Sequence, residues 1–131
     1  MTEYNLDDYI SYRVQRSKET LSEVQTLIEH EFWNTSINRM YYAGFYAVSA
    51  LLIKEGVETS SHSGVRQKFG ELFVKTGLIS RDLAKHYSDL FEKRSKGDYN
   101  DFFDFDKETV LRLYPLTQAL ISRVEELINA K

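Results

Sequence analysis

Residues 34–55 constrain the fold more than any other segment, because their apolar side chains cover most of the circumference of a helix instead of one stripe. Asn34 or Thr35 is expected to cap the first turn, and Gly56 stands where a left-handed residue would end the helix. The apolar and aromatic positions are Met40, Tyr41, Tyr42, Phe45, Tyr46, Val48, Leu51, Leu52 and Ile53. This segment is therefore predicted to be a central helix that other elements bury.

Four further helices are predicted around it from apolar residues spaced three or four positions apart. They run from about Leu6 to His30, from Ser63 to Lys75, from the cap residue Ser80 to about Lys96 before Gly97, and from about Asp106 to Asn129. On the third helix Val65, Phe69, Leu72 and Phe73 are expected to face inward. Pro115 should kink or split the last helix, because proline lacks an N–H and clashes with the preceding turn.

The composition favours one domain made of these helices. The chain has 131 residues with one proline and six glycines, which leaves few places for strands and tight turns. Hydrophobic residues make up 42% and charged residues 28%, as is typical of a globular protein with one core. The predicted fold class is all-α, a five-helix up-and-down bundle in which residues 1–131 form a single domain.

Several classes of protein are excluded by the same sequence. It contains no cysteine, so disulfides and thiolate metal sites are ruled out, and a cytoplasmic location is expected. The first residues include Glu3, Asp7 and Asp8 and do not resemble a secretory signal. The longest nearly apolar run, Met40 to Ile53, is shorter than the roughly 20 residues that span a bilayer, so no membrane contact is expected. With a net charge of −3, any contact with nucleic acid must be local.

A charged residue interrupts the inward stripe of the fourth helix. Arg94 follows four apolar or aromatic positions on that stripe, so its guanidinium points toward the packed side. An arginine is rarely buried without a partner, so Arg94 should meet a carboxylate or line a cleft or subunit interface. The alternative is an arginine that reaches solvent at a helix end, where the helix dipole favours it.

The segment that follows, from Gly97 to Asp106, alternates acidic and aromatic residues. Four aspartates within nine residues resemble a metal site, but the central glycine and distal glutamate of a calcium loop are missing. Capping and solvent-exposed turn carboxylates are the simpler interpretation. No metal site and no cofactor are therefore predicted.

Three polar side chains share one side of the central helix. Arg39, Tyr42 and Tyr46 stand three and four residues apart, which places a cation and two phenols on one face of an otherwise apolar helix. This pattern predicts a polar seam in the core that could hold a ligand. The alternative is that each buried tyrosine only hydrogen-bonds nearby backbone groups.

One of the three histidines stands at a place suited to an anion. His62 precedes the third helix, whose first backbone N–H groups are free to bind a negative group. A local capping or loop role is the alternative for His62. His30 ends the first helix, and His86, between solvent-facing Lys85 and inward Tyr87, is expected to be a bystander.

Three motifs occur together in a fixed order. They are Asn38–Ala47 followed by Ala50–Leu52, then Ser61–Gly64, and then Arg94 followed by Asp98 and Tyr99. Their order, their spacing and the five-helix layout resemble the HEPN family, specifically its small stand-alone prokaryotic members. The similarity covers the chain from about Asp8 to Leu127.

The resemblance implies a bundle that pairs as a homodimer, with the polar seam near the shared cleft. It also implies a minimal nucleotidyltransferase as partner, in a toxin–antitoxin-like or defence system, and RNA or a nucleotide as ligand. The residues implied for ligand binding are Arg39, Tyr42, Tyr46, His62 and Asp98, and the candidate catalytic pair is Arg94 and Tyr99.

The chain departs from the ribonucleases of this family, in which an arginine is followed after four to six residues by a histidine. No histidine follows Arg94, and Tyr99 stands five residues on. A tyrosine of ordinary pKa near 10 is a poor general base at neutral pH, so the loss should cost about 10²–10⁴-fold in such an activity. Arg81 and His86 fit the spacing, but on one helix they lie about 140° apart and cannot converge on one phosphate.

Three functions remain open on this basis. The first is a nucleotide- or RNA-associated interaction module that acts with a nucleotidyltransferase partner. The second is a weak metal-independent endoribonuclease that uses Arg94 with Tyr99 or His62. The third is a purely structural dimeric bundle that these side chains hold together. The first is preferred, because the arginines and tyrosines occur without a competent base.

Overall fold

The computed structural model describes residues 5–99 and 104–130, with the backbone alone at positions 98 and 99, and the elements in this part of the chain are all helical. The helices are α1 (Leu6–Glu29), α2 (Trp33–Lys54), α3 (His62–Phe69), α4 (Arg81–Tyr99) and α5 (Lys107–Asn129). A π-helical turn, Gly70–Val74, continues α3. The predicted all-α, five-helix fold class is confirmed.

The central position predicted for α2 is confirmed, because α2 packs against each of the other four helices. Ile37, Met40, Tyr41 and Leu51 on α2 are fully buried. Burying a side chain of this size contributes about 1.5–3 kcal/mol, so this helix carries a large share of the core. The Ser17 hydroxyl on α1 donates to a backbone carbonyl of α2 over 2.7 Å, which holds the two helices in register.

The predicted helix ends are confirmed at three places. Ser80 and Asp106 cap α4 and α5, because their side-chain oxygens accept from backbone N–H groups three residues on. Gly56 has a φ of 77° and follows α2, as expected of a left-handed terminator. The polar and glycine signals at these positions therefore predicted local structure directly.

The cap predicted for α2 at Asn34 or Thr35 is wrong. The helix begins at Trp33, and Phe32 at the capping position makes no side-chain cap hydrogen bond. Asn34 instead connects α2 to the segment before α5, because its Oδ1 accepts from the backbone N of Phe105 over 2.7 Å and its Nδ2 donates to Asp104 over 3.0 Å. Hydrogen bonds to residues far away in the sequence therefore take the place of the predicted cap at Asn34.

Two further details differ from the prediction. Helix α4 continues to Tyr99 instead of ending near Lys96, and Gly97 lies inside it, where an added Cβ would come within 3.2 Å of the Phe105 ring. Gly97 therefore lets the Phe105 ring pack closely against α4 and does not end the helix. Leu72 is exposed, because the wider π-helical turn rotates it away from the core while Phe73 stays buried.

Helix α5 runs without interruption through Pro115. Of the two predicted effects of the proline, a split is therefore wrong, and a kink stays a prediction. None of the helices in the described part of the chain combines the length and apolar character that crossing a bilayer requires.

Candidate functional site

Arg94 lies on the inward face of α4, half-buried against aromatic rings. Its guanidinium carbon is 5.0 Å from the ring centre of Tyr41, 5.9 Å from that of Tyr42 and 5.8 Å from that of Phe91. We refer to Tyr41, Tyr42, Phe45, Tyr87 and Phe91 as the aromatic cluster. These contacts confirm the inward orientation predicted for Arg94. A cation over such rings gains about 0.5–2 kcal/mol, which is a physical reason for that orientation.

The Arg94 side chain also lines a cavity between the first turn of α2 and the end of α4. Its volume is about 220 Å³, which accommodates a phosphate group or several waters but is small for a whole nucleotide. The lining residues are Asn34, Thr35, Ile37, Asn38, Arg94, Gly97 and Phe105. Arg94 thus has aromatic rings along one part of its side chain and a cavity lined by both polar and apolar residues at another.

Arg39, Tyr42 and Tyr46 form one continuous line, as their spacing predicts. The guanidinium carbon of Arg39 is 5.0 Å from the Tyr42 ring centre, and the Tyr42 and Tyr46 rings are 6.2 Å apart. All three side chains are half-buried, so the line follows the margin of the core instead of passing through it. From α1, Arg13 and Arg16 cover the Tyr46 ring at 5.8 Å and 5.5 Å.

His62 is the first residue of α3 and packs into the aromatic cluster. Its ring centre is 4.4 Å from that of Phe45, and its Nδ1 lies 2.6 Å from the hydroxyl of Tyr41. Burial lowers the pKa of the His62 imidazole, and the positive charge of Arg94 lowers it further. Burial also raises the pKa of Tyr41 to about 12. The structure therefore brings two predicted residues, His62 and Arg94, to one shared ring.

The residues around His62 have a structural reason for their spacing. The Ser61 hydroxyl caps α3 by accepting from the backbone N of Gly64 over 3.0 Å. A Cβ at position 64 would come within 2.4 Å of the Thr59 hydroxyl and 2.6 Å of the Ser61 hydroxyl, so only glycine leaves the cap intact. This local geometry fixes the position of His62 against α2.

Sequence reasoning missed two members of this site, Arg66 and Tyr41. The guanidinium carbon of Arg66 is 4.3 Å from the Phe91 ring centre, and Arg66 lines a groove of about 500 Å³ between α3 and α4. Its position four residues after His62, on the same face of a helix, is a signal that could have identified it. The sequence predicts Tyr41 as a core residue within the Asn38–Ala47 motif and not as a site residue, and it is fully buried.

The side chains of Asp98 and Tyr99 lie outside the described residues, so their assignment to the site stays a prediction. The backbone is described to Tyr99, and because α4 continues that far, positions 94 and 99 lie about 140° apart around its axis. Arg81 and His86 have the same angular separation, which is the reason that they cannot bind one phosphate together. Among the described residues no group of three or more His, Asp or Glu side chains is placed to hold a metal.

His86 does not lie at the boundary between solvent and core, as its neighbours suggested. It is buried, and its Nε2 is 2.8 Å from the Thr117 hydroxyl on α5. That hydroxyl donates its own proton to the carbonyl of Leu113, so it must accept from Nε2–H. His86 is therefore a structural link between α4 and α5, and Arg81, which is exposed, does not share a site with it.

Comparison with known proteins identifies relatives and a family that match almost the whole chain. Residues 10–127 match the family described as HEPN domain. A relative from Thermotoga maritima, named "UPF0332 protein", is 39% identical over 92% of this chain and 91% of its own length. Two relatives from Methanocaldococcus jannaschii, each named "Putative toxin", are 25% and 24% identical over 90% and 95% of this chain and 80% and 92% of their own.

Proposed function

The chain belongs to the HEPN domain family, and from that premise we propose that it is a nucleotide- or RNA-associated interaction module of a toxin–antitoxin-like or defence system. In this proposal Arg94 is the central ligand-binding residue, and Arg39, Tyr42, Tyr46 and His62 extend the binding surface. The chain acts as a homodimer together with a minimal nucleotidyltransferase partner. Two relatives carry the word toxin in their names, which supports the class of system.

The single observation that carries the proposal is the position of Arg94 over the aromatic cluster and beside a cavity of phosphate size. Phosphate groups and bases are bound by this combination, because arginine forks match phosphate oxygens and aromatic faces stack on bases. Arg39 and Arg66 flank the same cluster, and neither forms an ion pair with a carboxylate of the described residues. A chain with a net charge of −3 thus concentrates cations at one place.

A binding measurement with matched arginine variants tests this proposal. Wild type is titrated into a labelled single-stranded oligoribonucleotide and, separately, into adenosine 5′-monophosphate, at low and moderate salt. Arg94→Ala should weaken binding by about tenfold to a hundredfold, the usual contribution of one stacked or charge-paired contact. Arg94→Lys should recover only part of it, because lysine keeps the charge but not the planar fork. Arg81→Ala, at an exposed position of the same helix, is the control and should bind like wild type.

Metal-independent endoribonuclease activity is the alternative function, with Arg94 stabilising negative charge and Tyr99 or His62 assisting proton transfer. The family membership favours it, whereas the register of α4 and the absence of a histidine after Arg94 count against it. Cleavage of RNA by wild type but not by Arg94→Ala would establish the activity. Equal background cleavage by wild type and Arg94→Ala would rule out this activity.

The partner and the homodimer are tested separately from the ligand. Sedimentation of the purified chain should give a dimer, and Arg94→Ala should leave that dimer intact if Arg94 binds a ligand. Dissociation of the dimer by Arg94→Ala, with no change in ligand binding, would instead support the purely structural bundle. Co-purification with a nucleotidyltransferase encoded next to this chain, when the two are co-expressed, is the expected result for the partner.

A further inference from the structure

We propose that Tyr41 is a positioning residue: its phenol donates a hydrogen bond to Nδ1 of His62 and thereby keeps the imidazole proton on Nε2, so that His62 donates a hydrogen bond to a phosphate oxygen held beside Arg94 and Arg66. The inference deepens the proposed function and rests on it, because the ligand must carry a phosphate. It adds Tyr41 and Arg66 to the site and gives His62 a defined role as a neutral donor.

The direction of the Tyr41–His62 hydrogen bond follows from the chemistry of the two groups, whose polar atoms lie 2.6 Å apart. An imidazole nitrogen is a far better acceptor than a phenol oxygen, and the phenol carries an O–H to donate. The phenol is therefore the donor, and Nδ1 is the unprotonated nitrogen.

The protonation states of both groups agree with this direction. Tyr41 is fully buried, and burial raises its pKa to about 12, so it keeps its proton at any physiological pH. Burial and the Arg94 charge lower the pKa of His62, so the imidazole is neutral. With Nδ1 occupied as an acceptor, the one remaining proton of a neutral His62 stands on Nε2.

The surroundings of His62 fit an oxyanion better than a proton transfer. Arg94 lies 5.0 Å from the centre of the Tyr41 ring that His62 contacts, and Arg66 lies 4.3 Å from the centre of the next ring, Phe91. Two guanidinium groups over rings of the same cluster attract a phosphate, and a neutral His62 adds no third positive charge beside them. Since Nε2 already carries a proton, it cannot take another as a general base unless the tautomer changes. This places His62 among the binding residues instead of the catalytic ones.

The tautomer is measured first, without any ligand. In ¹⁵N spectra of the histidine rings at neutral pH, wild type should show His62 with an unprotonated Nδ1 and a protonated Nε2. Tyr41→Phe should move both signals toward their average as the second tautomer becomes populated, whereas Tyr114→Phe, the same change on α5, should not. A proton on Nδ1 in wild type, or an unchanged tautomer in Tyr41→Phe, would overturn the inference.

Two substitutions at position 62 then identify the nitrogen that meets the ligand. Glutamine places an amide N–H near the position of Nε2, whereas asparagine reaches only the position of Nδ1, where it can still accept from Tyr41. With the labelled oligoribonucleotide, His62→Gln should keep most of the affinity and His62→Asn should lose about tenfold. Equal losses in both variants, or none in either, refute the assigned role of Nε2.

The failure of the proposed function can be distinguished from the failure of this inference. If wild type binds neither the oligoribonucleotide nor adenosine 5′-monophosphate, the binding function is wrong and the phosphate role of His62 is overturned with it. If wild type binds and Arg94→Ala does not, while both His62 variants bind normally, the function stands and only this inference is lost.

Discussion

Acidification should destabilise this chain through His86, and the structure gives the size of the effect. The ring is buried, its Nε2–H donates to Thr117, and its Nδ1 has no hydrogen-bond partner among the described residues. Protonating Nδ1 would bury a charge without an acceptor. Burial, opposed by the charge of Asp89 and assisted by those of Arg112 and Lys93, lowers the pKa of His86 from 6.5 to about 4.

The folded-state pKa of His86 lies below the unfolded one, so the unfolded chain takes up this proton first as the pH falls. The stabilisation is fully present above pH 6.5 and disappears progressively down to about pH 4. The complete difference is about 3 kcal/mol, of which about 2 kcal/mol is lost between about pH 7.5 and about pH 5.

Urea unfolding of wild type and His86→Gln at both pH values measures this loss. Glutamine can still donate to Thr117 but does not titrate, so carboxylate effects cancel between the two proteins. The stability of wild type relative to His86→Gln should fall by about 2 kcal/mol on acidification. Parallel loss of stability in both proteins would show that the pKa of His86 is not lowered, and the reasoning from burial would be wrong.

Three further predictions concern the residues that shape the site. Gly64→Ala should lower the free energy of unfolding by about 1–2 kcal/mol, because its Cβ displaces the Ser61 cap, and Gly70→Ala, with open space around its Cβ, should cost less; equal losses would exclude the crowding. Tyr87→Phe should change the free energy of unfolding by less than about 1 kcal/mol, because its buried hydroxyl has no well-formed hydrogen bond within the described residues and the Tyr41 hydroxyl acts on it as a polar neighbour; a larger loss would show that the contact with Tyr41 is a strong hydrogen bond. Asn34→Ala should cost about 1–2 kcal/mol by removing the hydrogen bond that the Phe105 backbone N–H donates to Asn34, and amide exchange at Phe105 should quicken; unchanged exchange would contradict the importance of that bond.

Local signals in the sequence predicted most of the fold. Helical spacing identified the buried central helix, and Ser80, Asp106 and Gly56 marked helix ends because each satisfies backbone groups next to it in sequence. The errors arose where a distant residue decides the outcome. Asn34 bonds to Phe105, about 70 positions away, instead of capping its own helix, and Gly97 provides packing space for the same ring instead of a terminator.

The candidate site was predictable only in part for the same reason. The inward position of Arg94 and the line formed by Arg39, Tyr42 and Tyr46 follow from spacing within single helices. The contact of His62 with Tyr41 joins α3 to α2 across 21 positions, and no local pattern signals it. His86 was misjudged because its neighbours in sequence, and not Thr117 on α5, were used to place it.

The central claim is that a phosphate-containing ligand contacts Arg94 between the aromatic cluster and its cavity. The most direct test follows the Nε–Hε signals of the arginine side chains in ¹⁵N spectra, assigned with Arg94→Lys, as a single-stranded oligoribonucleotide is added. The Arg94 signal should move in proportion to binding while that of exposed Arg81 stays in place. Binding that leaves the Arg94 signal unmoved would contradict it.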